Sequence, residues 1–281
     1  MSHTDSTKIL LMGAAGRMGL AITRILSSGS FPGLEIIAAV DRADSPLIGQ
    51  DVGTAAGTRA LGVSICGNLV EALSTKPDVA VDFSFHIATA AAAPHMVAAG
   101  VPWVIGTTGL DEGEKALIAV AARKIPVVLS ANMSLGVNLL FALVEQAARA
   151  LAGRGYDCEI TERHHRRKKD APSGTALFLG EAAAKGYGWN LKDVAVDGRS
   201  GLPGERPEKE IGFHAIRGGD IVGDHTVLFA ADGETVELSH RATSRDTLAL
   251  GAIRAAAWLP GHAPALYGMR DVIGLSPGAP A

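Results

Sequence analysis

The chain has 281 residues, a formal net charge of −3 and 47% hydrophobic residues. That length suits one large domain or two modest ones with a buried core, and the near-neutral balance argues against a dedicated nucleic-acid binder, which carries a strongly basic domain. Its two cysteines, Cys66 and Cys158, are far apart and outside any CxxC pair, so they suggest neither a disulfide framework nor a zinc site and read as thiols of a reducing compartment.

The polar leader Met1–Thr7 lacks the basic, apolar and small-residue regions of a secretory signal. The longest apolar runs are broken by Gly, Asn or charged residues well before membrane-spanning length. A cytoplasmic protein without membrane or nucleic-acid partners is expected. A continuous apolar run, Ile9–Met12, predicts a strand buried on both faces, and a helix follows from about Arg17 to Leu26. Further strands are predicted at Leu34–Val40, Val79–Phe83, Val101–Ile105 and Val127–Leu129, with helices at Ala88–Ala99, closed by Gly100, and Asp111–Arg123. Strands separated by helical crossovers imply a parallel sheet covered on both faces.

The pattern changes after about Ser134. A long apolar helix, Leu135–Leu151, is followed by segments that alternate apolar and polar residues, as in Thr235–His240. That strand follows His225–Ala230 through Ala231-Asp-Gly-Glu234, a strong hairpin signal. With Asp157–Thr161 and Ile211–Ile216 these predict an α+β domain on an open, mostly antiparallel or mixed sheet of about four strands. Its polar face, with no helix left to cover it, reads as an oligomer interface in preference to a solvated surface. A helix over Asp246–Trp258 has no place in the antiparallel pattern and is expected to fold back on the first domain. The Pro/Ala/Gly tail after Leu275 is expected to fray. The domains are therefore 1–134 with 245–281, a Rossmann-like α/β unit, and 135–244, the α+β unit.

Gly13-Ala14-Ala15-Gly16-Arg17-Met18-Gly19 follows the first strand and opens a helix. That is the context a dinucleotide-binding turn requires: glycines permit the tight turn, and the helix start stabilises a pyrophosphate. The spacing differs from GxGxxG, so the turn should differ too. Asp41-Arg42 ends the second strand, where an acidic residue bonds the adenosine ribose, and an adjacent arginine meets a 2′-phosphate or stacks on adenine. Holding both, the site is expected to take NADH, NADPH or either; a solvated salt pair is the alternative. Gly106-Thr107-Thr108-Gly109 and Ser130-Ala131-Asn132-Met133 end two later strands, where ligands bind in open parallel sheets.

The most informative stretch is Glu162-Arg-His-His-Arg-Arg-Lys-Lys-Asp-Ala-Pro-Ser-Gly-Thr-Ala176, in which seven consecutive basic or imidazole residues run into a helix start. A solvated charge run explains neither the histidine pair nor the helix start behind it. A nucleic-acid patch would have interleaved aromatics and a basic chain around it. An active-site loop for carboxylates fits best, with Ser173, Gly174 and Thr175 at the helix start as an anion site.

This segment resembles the signature of the 4-hydroxy-tetrahydrodipicolinate reductase (dihydrodipicolinate reductase) family, roughly E-x-H-H-x-x-K-x-D-A-P-S-G-T-A. The glycine motif, Gly106–Gly109, Asn132, Arg217–Gly223, His225-Thr226 and Arg241–Arg245 match in order, so the resemblance spans nearly the whole chain. It implies hydride transfer from NADH or NADPH to an unsaturated cyclic dicarboxylate in lysine and diaminopimelate synthesis. His164 and Lys168 then correspond to the catalytic acids, and His165, Ser173, Gly174 and Thr175 to substrate carboxylate contacts. Gly13 to Met18, Asp41, Arg42, Gly106, Thr107, Thr108 and Ser130 to Met133 correspond to cofactor contacts, with no metal. The family implies a homotetramer through the second sheet. Met133 replaces an aromatic residue, Asp41 a common Glu, and His86 and Lys169 also depart from the pattern. Another Rossmann dehydrogenase of amino-acid metabolism, such as an aspartate or homoserine dehydrogenase, is the alternative, and it would lack the basic loop.

Overall fold

In the computed structural model, which describes residues 6–244 and 246–275, the first apolar run lies in β1 (Thr7–Met12), whose last four residues are buried. There follow α1 (Arg17–Ser27), β2 (Leu34–Val40), α2 (Val52–Ala55), β3 (Ile65–Cys66), α3 (Leu69–Leu73), β4 (Val79–Asp82), α4 (His86–Ala99), β5 (Trp103–Ile105), α5 (Glu112–Ala122) and β6 (Val127–Leu129). Next come α6 (Leu135–Leu151), β7 (Asp157–His164), α7 (Gly174–Tyr187), α8 (Leu191–Val194), β8 (Ala195–Asp197), β9 (Ile211–Arg217), β10 (Gly223–Ala231) and β11 (Glu234–Ala242). The chain closes with α9 (Asp246–Trp258), β12 (Leu266–Tyr267) and α10 (Met269–Val272). The expectations for the first five residues of the leader, for Arg245 and for the tail from residue 276 lie outside the described residues. Contacts divide the chain into two units, Met1–Ser134 with Asp246–Ala281, and Leu135–Arg245.

The first unit holds a seven-stranded sheet in the order β12-β6-β5-β4-β1-β2-β3. Every pairing is parallel. Strand order reverses at β1, which lies between β4 and β2, and this is where open α/β sheets bind ligands. Leu10, Met12, Ala80, Met96, Trp103, Ile105 and Ile118 pack into one core on a helix-covered side. Local signals end and begin the helices: Gly100 closes α4 in the left-handed region at φ 66°, and Asp111 and Glu114 form a capping box at the start of α5. Helix α9 packs against α1 and β4.

The second unit is built on a mixed sheet in the order β11-β10-β7-β9-β8. The pairings β11-β10 and β10-β7 are antiparallel, whereas β7-β9 and β9-β8 are parallel. It has five strands where about four were expected, because three residues of β8 join the edge beside β9. The Asp232-Gly233 hairpin joins β10 to β11, with Gly233 at φ 86°. Helices α6 and α7 pack on each other and on one sheet face. Along β7, residues 158, 160 and 162 are buried beneath them and the alternate positions are not. Register places Ile160 beside Val227 and Phe213, an apolar row, and then Glu162 beside His225 and Ala215, and His164 beside Arg217. The inner face therefore turns from apolar to polar towards the C-terminal end of β7. On the opposite face Thr226 lies in register with Thr161 and Ser239. There Glu159 accepts from Arg199 at 2.6 and 3.0 Å and from Arg206 at 2.9 Å. Burial would raise the Glu159 carboxyl, but these cations and His214 hold it down at about 2.

Candidate active site

In the first unit the glycine turn is a backbone structure. Gly13 and Ala14 both donate to the Val40 carbonyl, at 2.9 and 3.1 Å, and Gly16 donates to the Gly13 carbonyl at 3.0 Å. The Ala15 N–H goes to Asp41 Oδ2 at 2.8 Å. The N–H groups of residues 13 to 16 are thus used inside the turn. Those of Arg17 and Met18, in the first turn of α1, are ones a helix leaves without an intrahelical partner, and the N-cap residue, Gly16, has no side chain to satisfy them. That uncapped start fits a pyrophosphate. The glycines are needed for close approach. A Cβ on Gly13, which sits at φ 74°, would lie 2.5 Å from the Phe83 carbonyl oxygen, and one on Gly19 would lie 2.4 Å from that of Gly13.

The residues expected at the strand ends around this turn differ in burial and in the partners they hold. Asp41 is where the ribose contact was expected, and it also braces the turn through Ala15, with Oδ1 accepting from the Arg42 N–H at 2.9 Å. Arg42 is exposed and paired with Asp44 at 3.3 Å. Gly106 is buried, and a side chain there would strike the Phe83 ring at 2.2 Å. The Thr107 hydroxyl is turned inward, donating to Asp82 Oδ1 at 3.2 Å and accepting from Thr89 at 3.0 Å, whereas Thr108 is exposed. Met133 is buried, while Ser130 and Asn132 close a tight turn through Ser130 Oγ and the Asn132 carbonyl at 2.7 Å. Sequence reading gave no role to Asp82, which is fully buried at the end of β4. Its Oδ1 accepts from the Ser84 N–H and Oγ at 2.8 and 2.6 Å, and burial pushes its carboxyl above the usual range.

In the second unit the basic loop is organised by one buried carboxylate. Glu162 is 1% exposed. Its Oε1 accepts from the Ser173 N–H at 3.0 Å and Arg217 Nη2 at 2.7 Å, and its Oε2 from Arg217 Nη1 at 2.8 Å, with His164 Nδ1 at 2.5 Å. Burial alone would raise the Glu162 carboxyl, but the hydrogen bonds from Arg217 and His164 outweigh it and hold it below the usual range. Arg217 Nη2 also donates to the Asp170 carbonyl at 2.6 Å, and the Asp170 carboxylate pairs with Lys168 Nζ at 2.9 Å. One ion pair thus reaches both expected acids and the helix start.

Ser173 caps α7, accepting from the Ala176 N–H at 3.2 Å, and its Oγ meets His225 Nε2 at 3.0 Å. Burial first, and then neighbouring His164, push the His225 pKa down to about 4, so an uncharged imidazole faces the serine at neutral pH. The His225 ring stands edge-on to His164 at 5.1 Å. Gly174 is exposed, with nothing within 4 Å of the place where a side chain would begin. That opening beside an N-terminal helix turn suits a carboxylate. His165 and Thr175 are half-buried in the same loop and helix start. Glu162, Arg217 and His225 are the buried or half-buried polar neighbours of this loop that sequence reading left without a role. The available signal was the two-residue spacing of Glu162 and His164, which puts both on one strand face.

Among the described residues no group of three or more His, Cys, Asp or Glu side chains is placed to hold a metal ion. No helix among them is long and apolar enough to cross a membrane. A doubly wound sheet with a glycine turn at its switch point, and a cationic loop running into a helix start, define an oxidoreductase that works with a dinucleotide.

Comparison with known proteins narrows the class. Residues 7–133 match the N-terminus of dihydrodipicolinate reductase and residues 136–273 match its C-terminus. The 4-hydroxy-tetrahydrodipicolinate reductase of Anaeromyxobacter dehalogenans is 54% identical, over 97% of this chain and 99% of its own. That of Thiobacillus denitrificans is 52% identical, over 96% and 99%. The solved dipicolinate-bound dihydrodipicolinate reductase of Paenisporosarcina sp. TG-14 shares the fold, with a TM-score of 0.74 at 22% identity over 94% of this chain and 97% of that one. The chain belongs to the dihydrodipicolinate reductase family. An aspartate or homoserine dehydrogenase, the alternative from sequence, is not favoured: the basic loop is complete, and these reductases match along almost the whole length.

Proposed function

We propose that the chain converts 4-hydroxy-tetrahydrodipicolinate, an unsaturated cyclic dicarboxylate, to tetrahydrodipicolinate in lysine and diaminopimelate synthesis: the ring hydroxyl leaves as water with a neighbouring ring hydrogen, and NADH or NADPH reduces the dihydrodipicolinate so formed. The observation that carries this reading is the Glu162–Arg217 pair, which holds His164 and the start of α7 together beside an open Gly174. A bound nicotinamide supplies a hydride, two electrons and a hydrogen, to an unsaturated ring carbon. The Arg17 and Met18 N–H groups hold the pyrophosphate, Asp41 and Arg42 the adenosine ribose, and residues 106–108 and 130–133 the nicotinamide end. Ser173, Gly174, Thr175 and His165 hold a substrate carboxylate. The loop's cations stabilise the negative charge that hydride addition leaves on the ring. His164 or Lys168 delivers the balancing proton.

Asp41 and Arg42 together support use of both nucleotides. The uncovered polar face around Thr161, Thr226 and Ser239 supports assembly of four copies through this sheet, measurable by sedimentation. Two unbridged cysteines agree with the cytoplasm as workplace. The test follows nicotinamide absorbance while the substrate is generated enzymatically in the cuvette. Substrate-dependent oxidation of NADH or NADPH is expected. No oxidation with either nucleotide, from folded protein, would reject the reading.

A further inference from the structure

We propose that Glu162 is a positioning residue that makes Nε2 the working nitrogen of His164, and that its ion pair with Arg217 is what holds it to that task. The inference rests on the reading of His164 as the proton donor, and it adds which atom acts and what fixes it.

The four hydrogen bonds on Glu162 decide the matter of donors. Its two oxygens face an amide N–H, two guanidinium N–H groups and the His164 ring nitrogen. An ionised carboxylate has no hydrogen to give, and Arg217 keeps this one ionised. The short contact to His164 therefore has its proton on Nδ1, donated to Glu162 Oε2. The other ring nitrogen, Nε2, is left to take a proton from solvent and pass it to the substrate, the Nδ1 contact to Glu162 supporting the imidazolium that forms in between. On the Nε2 side the chain makes room: the nearest heavy atom to a Cβ built on Gly223 would be His164 Nε2, at 3.1 Å. A side chain at 223 would crowd that atom.

The sheet supplies the rest. Glu162 and His164 are two apart on β7 and share its inner face, and Arg217 is paired in register with His164 on the neighbouring β9. Arg217 comes to Glu162 from a strand 55 residues later. A buried carboxylate without this partner would take up a proton or turn away. The arginine thus does not touch the reacting atoms, yet its loss should be felt there. An imidazole held by a buried carboxylate is a known way to fix a tautomer, and removing the charge while keeping the shape costs on the order of 10⁴ in turnover in the best-measured case.

Glu162→Gln removes the charge at constant volume. Its amide must set an N–H against one of the donors that now converge there. The expected result is a fall in kcat of about a hundredfold or more, with KM for the dicarboxylate and the dissociation constant for NADH each within about threefold of the parent. In ¹⁵N-histidine-labelled protein, the parent should show a strongly deshielded Nδ1 proton on His164, and the variant should lose it. A parent spectrum with a neutral ring protonated on Nε2 overturns the proposal, whether or not the variant folds. The double variant Glu162→Gln/Arg217→Gln leaves no lone buried charge. If a purely structural role were the whole story, it would regain turnover with stability; turnover within about threefold of the parent overturns the proposal, and a folded but slow protein supports it. His164→Gln separates the two readings. If it is slow while Glu162→Gln runs at the parent rate, the positioning role alone falls. If His164→Gln itself runs at the parent rate, the proton-donor reading falls, and this inference with it.

Discussion

The start of α1 and the start of α7 both offer a helix N-terminus to an anion, but they are made from different material. The first is almost all backbone: Gly16 caps it with no side chain, and of residues 13 to 16 only Ala15 bonds to a side chain, that of Asp41, while the others bond to carbonyls. The second is made of side chains: Ser173 caps the helix, and a buried glutamate, an arginine and two histidines converge behind it. A backbone site is sensitive to atoms that are added, because its shape is its chemistry. A side-chain site is sensitive to atoms that are removed, because its charges and protons are its chemistry. The two starts should therefore fail in opposite ways.

The sharpest test removes atoms from the second. His164→Gln and Lys168→Ala are each expected to slow turnover by about 10²- to 10⁴-fold, while NADH affinity, read by fluorescence titration, stays within about threefold. A matching loss of NADH affinity would break the separation. Next comes addition. Gly13→Ala places a Cβ 2.5 Å from a carbonyl oxygen at φ 74°. It is expected to cost about 2–4 kcal/mol in urea unfolding and to weaken both nucleotides. Gly174→Ala meets open space, so its stability should stay within about 0.5 kcal/mol of the parent while KM for the dicarboxylate rises. Equal destabilisation by both alanines would remove the contrast.

Acid should sharpen it further. The His225 pKa is depressed to about 4 in the fold against 6.5 for the free side chain. Between those values the unfolded chain binds the extra proton, so stability falls as pH drops from about 6.5 to about 4. Asp51 in the first unit caps α2 and accepts from four backbone N–H groups. Burial opposes the shift, but these bonds hold it at about 2 against 3.8, so its contribution survives down to about pH 4 and is lost between there and about 2. Urea midpoints measured against pH should show the higher window shrink in His225→Asn and the lower one shrink in Asp51→Asn. The smallest effect is expected at Arg42, which is exposed. Arg42→Ala should weaken NADPH by about tenfold or less and NADH by no more than about twofold; equal losses would remove its phosphate role.

Most of the fold is readable locally. The Ile9–Met12 run, the helix after the glycine turn, the Gly100 stop and the Asp232-Gly233 hairpin each carry their cause within a few residues. What escaped was short. The strands β3, β8 and β12 span two or three residues and exist because a neighbouring strand offers hydrogen bonds, which no local pattern records. The site divides the same way. The glycine turn and the basic loop are contiguous and show themselves as motifs. Arg217 and His225 lie 55 and 52 residues from Glu162 and Ser173, their partners, and only sheet register joins them. Thr107 and Met133 show a further limit: a strand-end motif does not record that a side chain is turned into the core.

The alternation along β7 has one more consequence. Its buried positions, 158, 160 and 162, lead to His164, while 159, 161 and 163 present the other side. Two separate texts are interleaved in eight residues, and their separation depends on counting parity. Deleting a single residue near Ile160 would leave the composition almost intact, yet it would carry Arg163 to the inner face and send His164 to the far side. Natural variation in this strand should therefore proceed by substitution, with gaps and insertions confined to the loops at its ends.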